Sequence, residues 1–210
     1  MDVIKRFQQI AEQEKFKGWP MVGDWRLGLE IPHFGQLLEY DLQTPSGKEH
    51  YVSLLRYFGW CNVFGVTSEG NVVTLVQWKP GVNRATWGLP PGGIEKIDSA
   101  TTKEDIISRA QEIYLRETGY GKGTWTYLKH VMIETGKYRG AVPQDHGFGA
   151  HMILATNLVK LAEAQPKQNE IMEILEVPLA DFEKVLASQY FEGEVVNLCA
   201  LLALRKLTKS

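Results

Sequence analysis

The residues best suited by type and spacing to chemistry lie in one segment, residues 87–120. Gly92 and Gly93 follow two prolines there, and a loop of this composition lets backbone amides approach phosphate oxygens closely. In the helix expected after the loop, Glu117 falls within an apolar arc. A carboxylate on an apolar face needs a cation or hydrogen bonds, because its desolvation otherwise costs several kcal/mol. The segment therefore predicts either a metal ligand at Glu117 or a carboxylate that pairs with an arginine or reaches solvent.

The other charged residues of this helix have local structural explanations. The apolar arc consists of Ile106, Ile107, Ala110, Ile113 and Tyr114. Thr101 and Glu104 have the spacing of a capping box, which by itself accounts for that glutamate. Glu112 and Arg116 are four residues apart on the outer side, which predicts a surface ion pair.

The elements around this segment follow from hydrophobic periodicity and turn residues. Helices are predicted over residues 2–15, over residues 102–118 with a C-cap at Gly119, and over residues 194–207. Residues 174–188 pass from a strand into a helix. Strands are predicted over residues 37–44, 49–57, 61–67, 72–78, 125–135 and 150–159. This order predicts an α+β or α/β sandwich whose short turns favour mostly antiparallel strands.

Length and charge limit the classes of function. The chain has 210 residues and a mass of 23.8 kDa, with 44% hydrophobic and 23% charged residues, which is enough chain to bury a full core. Its formal net charge is -2 and its pI is about 6.2. Nucleic acid is therefore not expected as the main partner, because no basic excess is present to neutralise phosphates.

Cysteines and apolar runs bear on the cellular compartment. Cys61 and Cys199 sit in apolar runs, which favours buried free thiols in a reducing compartment. The apolar run over residues 195–204 is interrupted by Asn197 and is too short to cross a bilayer. The N-terminal residues mix charges of both signs and lack the apolar stretch of a secretory signal. We therefore expect a cytoplasmic protein with no membrane contact.

Residues 87–120 resemble the Nudix box, whose pattern is G-x5-E-x7-R-E-U-x-E-E-x-G-U with U aliphatic. The chain is similar to Nudix hydrolases of the ADP-ribose pyrophosphatase-like branch from about Gln36 onward. The resemblance implies an α+β fold of the Nudix type, an α/β/α sandwich with a mixed sheet. A small N-terminal β region and an N-terminal helix, residues 1–58, would precede a Nudix domain, residues 59–210, and would help to form a homodimer.

The box departs from the family pattern within its helix. Glu104 and Glu117 match box glutamates, but Glu112 stands at the arginine position and Ile113 at that of a metal-binding glutamate. Arg116 replaces the first member of the glutamate pair. A one-residue helix bulge would bring Glu112 into the missing glutamate's place. Without a bulge, Arg116 would act as a fixed positive charge that faces Glu117 in place of the metal.

The resemblance also implies roles for individual residues. Mg²⁺ or Mn²⁺ would be held by Glu117, Glu112, Glu95 and the carbonyl of Pro91. Asp145, in a polar loop between strands, is the candidate catalytic base beside Glu117, and the alternative is that this loop is a solvated turn. Substrate contacts are implied for Lys79, Arg84, Trp87, Gly92 and Gly93. For Trp87, stacking on a base and packing in the core are both open.

Two functions of different classes follow from these residues. The leading hypothesis is a Nudix-type pyrophosphohydrolase that acts on a nucleoside diphosphate linked to another moiety, such as a nucleotide sugar or ADP-ribose. The alternative is a non-catalytic Nudix-fold protein that binds a nucleotide or a protein partner and has a disabled metal site. Ile113 and Arg116 are the residues that favour the alternative.

Overall fold

The computed structural model of the chain contains two compact units, whose described parts are residues 20–56 and residues 58–209. The described residues are 20–32, 35–56, 58–79, 84–95, 101–131, 149–165, 171–191 and 193–209. The helix predicted over residues 2–15 and the loop that carries Asp145 lie outside them.

The smaller unit is a three-stranded antiparallel sheet. Its strands are β1 (Arg26–Ile31), β2 (Gly35–Thr44) and β3 (Gly47–Arg56), in that order across the sheet. The hairpin predicted here is confirmed, with Thr44 opposite Gly47. The Thr44 hydroxyl donates to the Gly47 carbonyl oxygen at 2.8 Å, and Gly47 has a φ of 126°, which glycine adopts without strain. This turn sets the register of the two strands.

The larger unit is built on an eight-stranded sheet. Its strands are β4 (Phe58–Thr67), β5 (Asn71–Lys79), β6 (Arg84–Gly88), β7 (Pro91–Glu95), β8 (Tyr120–Gly121), β9 (Thr124–Val131), β10 (Ala150–Lys160) and β11 (Met172–Pro178). The main order is β11-β5-β4-β10-β8, while β6 pairs with β5, β7 with β4 and β9 with β10. Because β10 runs parallel to β4, the sheet is mixed, as the resemblance implies. The short turns did not reveal this central parallel pair.

Strands β4 and β5 separate partway along their length. They pair directly at Gly65–Val73 and Val66–Val72. Beyond those pairs, β7 lies against residues 58–62 of β4, and β6 lies against the end of β5. The two short strands therefore fill the gap that opens where β4 and β5 diverge.

Helix α1 (Lys103–Thr118) packs against β4, β7, β8 and β9. Thr102 is its N-cap: the Asp105 amide donates to the Thr102 hydroxyl at 3.1 Å, and the Thr102 amide donates to the Asp105 carboxylate at 2.9 Å. The capping box predicted for Thr101 and Glu104 is therefore wrong by one residue. The sequence offers two adjacent threonines, and the one that is followed by an aspartate at the third position caps the helix.

The end of α1 follows the prediction. Gly119 is the C-cap with a left-handed φ of 76°, and its amide donates to the Leu115 carbonyl oxygen at 2.8 Å. The buried positions of the helix are Ile106, Ala110, Tyr114 and Thr118. The helix is an unbroken α-helix from Lys103 to Thr118, so the one-residue bulge that would move Glu112 into the missing glutamate's place is not formed.

The opposite face of the larger sheet is covered by the C-terminal elements. A 3₁₀ turn (Leu179–Asp181) leads from β11 into the short helix α2 (Phe182–Leu186). Helix α3 (Glu194–Leu207) packs against β4, β9 and β10. Alternate residues of β4 enter two separate cores: Phe64 packs with α3 residues, and Val63 packs with α1 residues. The larger unit is therefore a helix–sheet–helix sandwich.

Two further expectations concern buried thiols and membrane spans. Cys61 and Cys199 are both free and buried, as predicted. Among the residues that the structure describes, no helix is long and apolar enough to cross a membrane.

Candidate functional site

A cleft of about 440 Å³ lies in the larger unit where β4 and β5 diverge. Side chains from β4, β5 and β6 line it together with the first residue of β7 and the start of α3. Its volume is typical of small-molecule sites, which span about 300–1,000 Å³. The aromatic and polar residues at its wall, with one proline, are Trp60, Asn62, Gln77, Thr86, Trp87 and Pro91.

The alternation of β4 decides which of its side chains reach the cleft. Trp60 and Asn62 line it, whereas Cys61 and Val63 belong to the core under α1. Asn62 is 2% exposed, so its carboxamide stands at the base of the cleft rather than at its rim. An amide there can both donate and accept hydrogen bonds.

Trp87 is held by a chain of hydrogen bonds that leads away from the cleft. Its indole N–H donates to the Thr74 hydroxyl, with Nε1 and Oγ1 2.8 Å apart. The Thr74 hydroxyl donates in turn to the Leu175 carbonyl oxygen at 2.5 Å. The indole also meets the ring of Phe191 edge-on, with centroids 5.9 Å apart. Trp87 therefore packs against the core, as one of the two alternatives predicts, and it also lines the cleft, while its stacking on a base stays a prediction.

The remaining polar wall comes from β5 and β6. The Thr86 hydroxyl donates to the Gln77 carbonyl oxygen at 3.1 Å, which ties the two strands together. The Gln77 side chain lines the cleft and is half-buried. The site thus presents indole surface together with two carboxamides, those of Asn62 and Gln77.

Gly92 and Gly93 lie in strand β7 rather than in an open loop. They pair with β4, Gly92 opposite Cys61 and Gly93 opposite Trp60. A Cβ atom at Gly92 would come within 2.5 Å of Ile113 Cγ2. Glycine at this position lets helix α1 approach the sheet closely. The predicted loop geometry is therefore wrong in the described structure, and the phosphate contacts of these glycines stay a prediction.

The helix residue at the missing glutamate position is part of the packing. Ile113 is half-buried, belongs to the periphery of the core under α1, and faces Gly92. Glu112 is exposed and lies in a separate shallow cleft of about 250 Å³ beside Lys122 and Trp125. Five residues along a helix place Glu112 and Glu117 about 140° apart around its axis. The structure therefore does not present these two carboxylates on one side of the helix.

Glu117 has an arginine as its partner. Arg116 Nη2 donates to Glu117 Oε1 at 3.0 Å, and the glutamate side chain is 15% exposed. The ion pair predicted between Glu112 and Arg116 is replaced by this neighbouring pair. Burial, with a smaller contribution from the charge of Glu117, raises the pKa of Cys61 to about 12. Glu117 therefore lies near the β4–β7 strand pair, where the box resemblance expects a carboxylate.

The described residues by themselves do not form a complete Mg²⁺ or Mn²⁺ site. No three histidine, cysteine, aspartate or glutamate side chains within them come together in a way that could hold a metal ion. Mg²⁺ is held by carboxylates with substrate phosphates, and the one helix carboxylate near the glycine strand is paired with Arg116. The side chain of Glu95 and the whole of Asp145 lie outside the described residues, so their predicted roles remain predictions.

The other predicted substrate contacts lie where the end of β5 pairs with the start of β6. Lys79 and Arg84 face each other in the strand register, and their side chains lie outside the described set. Pro91 lines the cleft. Sequence reasoning did not single out Trp60, Asn62 or Thr86. The sequence gives a partial indication of two of them. Side chains alternate along a strand, so Trp60 and Asn62 are expected on the same face of β4.

A histidine cluster lies on the α1 face of the sheet. His151 is 3% exposed, and its Nδ1 lies 2.8 Å from the Tyr127 hydroxyl. The ring of His130 stacks on it with centroids 4.7 Å apart. Burial and the neighbouring His130 lower the pKa of His151 to about 4. His151 is therefore neutral at physiological pH.

Comparisons with known proteins agree with the fold. No protein-family model matches the chain. The chain is 26% identical over 150 residues to a protein named ADP-ribose pyrophosphatase from Bacillus subtilis (strain 168), which covers 71% of this chain and 74% of that protein. A crystal structure of an ADP compounds hydrolase matches with a TM-score of 0.72 and 16% identity, over 92% of this chain and 95% of that one. The chain is therefore similar in sequence to an ADP-ribose pyrophosphatase, and it shares the fold of an ADP compounds hydrolase, in agreement with the α/β/α sandwich that the resemblance implies.

Proposed function

We propose that this protein acts on a nucleoside diphosphate linked to another moiety, with ADP-ribose as the first candidate and nucleotide sugars as the second, and hydrolyses its diphosphate. The observation that carries the proposal is the cleft at the divergence of β4 and β5, which is lined by two tryptophans and two carboxamides. The relative's name and the fold match point to the same substrate class.

The cleft suits the nucleoside end of such a ligand. Trp60 and Trp87 offer ring surface on which a base can stack, and stacking of this kind contributes about 1–3 kcal/mol per base. Asn62 and Gln77 offer amide donors and acceptors to the edge of a base or to ribose hydroxyls. Wild-type binding of ADP-ribose should therefore be measurable by calorimetry whether or not turnover follows.

Hydrolysis in this proposal requires Mg²⁺ or Mn²⁺, which would supply positive charge to the diphosphate. Glu117 is the predicted ligand whose carboxylate the structure describes near the glycine strand. Glu95 and the Pro91 carbonyl keep their proposed ligand roles, and Asp145 its proposed role as base. The described geometry supports Glu117 more than Glu112, because Glu112 is exposed in the separate shallow cleft.

The test is a product assay on the full chain. Purified protein with Mg²⁺ or Mn²⁺ should convert ADP-ribose into AMP and ribose 5-phosphate, and chromatography resolves both. A panel of nucleotide sugars run in parallel ranks the second moiety. Absence of any product across the panel, at protein concentrations that bind the ligand, would overturn hydrolysis and leave binding.

Binding without hydrolysis is the second candidate, and the box helix favours it. Ile113 packs against Gly92 where a metal-binding glutamate is expected, and Arg116 pairs with Glu117 at 3.0 Å. A protein of this second kind binds ADP-ribose equally well in Mg²⁺ and in EDTA. Calorimetry in the two buffers therefore separates the candidates, because metal-dependent affinity supports the hydrolase.

We also propose a homodimer formed through the N-terminal region. Leu27 and Leu29 of β1 are 57% and 54% exposed, and Met21 is 44% exposed. Apolar side chains on the same region are a recognisable association surface. Light scattering coupled to gel filtration should give twice the monomer mass, and Leu27→Asp with Leu29→Asp should return it to the monomer mass.

A further inference from the structure

We propose that Thr74 is a positioning residue for the nucleotide site, which it serves by holding the Trp87 indole against the sheet so that ring surface rather than the N–H group faces the ligand. This inference rests on the proposed function, since it assumes that a nucleotide occupies the cleft. It adds a residue that lies behind the cleft wall and does not line it.

The geometry for this role is a relay of two hydrogen bonds. Trp87 Nε1 donates to Thr74 Oγ1 at 2.8 Å, and Thr74 Oγ1 donates to the Leu175 carbonyl oxygen at 2.5 Å. A hydroxyl has one hydrogen to donate and can accept at the same time, so threonine satisfies both neighbours. Thr74 is 0% exposed, and a buried indole N–H without a partner would be unfavourable by about 1–3 kcal/mol.

The relay restricts which group of the Trp87 side chain can contact a ligand. Because the N–H group is already bonded to Thr74, the indole contributes an apolar ring surface to the cleft. The ring of Phe191, edge-on at 81°, supports the indole from a second direction. Hydrogen-bond recognition of the ligand is then left to the carboxamides of Asn62 and Gln77.

The experiment compares Thr74→Val, which has the shape of threonine without the hydroxyl, with Thr74→Ser, which keeps the hydroxyl. Thr67→Val is the matched control, because Thr67 is also buried and its hydroxyl accepts a hydrogen bond from the Asn71 amide in the β4–β5 turn. Nuclear magnetic resonance of the ¹⁵N-labelled 210-residue chain resolves the indole N–H signals of its six tryptophans. Trp87→Phe assigns the signal of Trp87, and calorimetry measures ADP-ribose affinity.

Thr74→Val should shift the Trp87 indole signal and weaken ADP-ribose binding about fivefold to tenfold, the loss expected for one hydrogen bond that orients a wall of the site. Thr74→Ser should stay within about twofold of wild type, and so should Thr67→Val. If the protein turns over ADP-ribose, KM should rise in Thr74→Val with kcat unchanged. Thr74→Ala replaces Thr74→Val in these comparisons should the valine variant fail to fold.

Two results would overturn the proposal, and they are distinguishable. A shifted indole signal in Thr74→Val with wild-type ADP-ribose affinity means that the relay does not position the site, while the proposed function stands. If the wild-type protein does not bind ADP-ribose, both the proposed function and the positioning role of Thr74 are wrong.

Discussion

The two faces of the eight-stranded sheet differ in how closely their helices approach. On the α3 face, Trp60 and Asn62 line an open cleft of about 440 Å³. On the α1 face, a Cβ atom at Gly65 would lie 2.0 Å from the Tyr114 hydroxyl, and one at Gly92 would lie 2.5 Å from Ile113. One face therefore has room for a ligand, and the other has glycines where a helix is pressed onto the strands.

This difference separates ligand binding from the box chemistry. The cleft has the aromatic and amide groups of a binding site. The described part of the box helix has an isoleucine in the packing and an arginine paired with its glutamate. In the proposed function, the ligand surface and the box helix therefore lie on opposite faces of the sheet, so that one can change without the other.

The largest expected effect tests the closeness of α1 to the sheet. Gly65→Ala should lower the free energy of unfolding by about 2–3 kcal/mol, because the added methyl group overlaps the buried Tyr114 hydroxyl. Tyr114→Phe should restore part of the loss in the double variant, since it removes the overlapping atom. Tyr114→Phe alone should cost little, because that hydroxyl has no hydrogen-bond partner among the described residues. Urea unfolding of the four proteins measures the coupling, and strict additivity would contradict the close contact.

The next effect tests the open face. Trp60→Ala should weaken ADP-ribose binding about tenfold to a hundredfold, because a base loses one stacking surface. Trp125→Ala is the control on the other face, where the indole donates to the Lys122 carbonyl oxygen at 2.6 Å. Calorimetry on both variants, with folding checked by circular dichroism, should show a loss for Trp60 alone. Equal losses would remove the distinction between the two faces.

A third prediction tests whether the box helix can bind a metal ion once the missing carboxylates are restored. Ile113→Glu combined with Arg116→Glu restores the carboxylates of the family pattern beside Glu117. The double variant should bind Mn²⁺ about tenfold more tightly than wild type, because Mn²⁺ and Mg²⁺ prefer oxygen ligands. Titration calorimetry measures this affinity. Glu112→Gln in the same background should leave the Mn²⁺ affinity unchanged, since Glu112 lies in the separate shallow cleft. Unchanged Mn²⁺ affinity would show that the site has lost more than these two residues.

The last effect concerns pH. The pKa of His151 is lowered to about 4 in the folded chain from an unfolded value of about 6.5, so its contribution to stability is present above pH 6.5. That contribution is lost as the pH falls from about 6.5 to about 4, because the unfolded chain binds the proton more readily. His151→Gln should flatten the fall in unfolding free energy over this range. Parallel pH curves for the variant and wild type would contradict the assignment.

Much of the local structure could be predicted from the sequence. The end of α1 at Gly119 and the hairpin turn at Gly47 follow from glycine's access to left-handed conformations. The capping box was one residue off, because Thr101 and Thr102 are adjacent and both have an acidic residue three positions later. Which threonine caps depends on where packing against the sheet begins the first turn.

The site could be predicted in part. Trp87 and Pro91 were expected near the ligand and do line the cleft. Trp60 and Asn62 were missed, because nothing in β4 says which of its two faces stays open. Glu117 was expected in an apolar arc with either a metal or an arginine, and Arg116 holds it in the described structure.

By itself the sequence determined the helix, its C-cap and the tight hairpins, because those depend on contacts between residues a few positions apart. The tertiary structure decided that β10 lies parallel to β4 and that β4 and β5 separate to open the cleft. It also joined Thr74 to Leu175 across 101 residues, behind the tryptophan that lines the site. Contacts over such distances depend on which surfaces bury each other when the whole chain packs, and no local pattern specifies them.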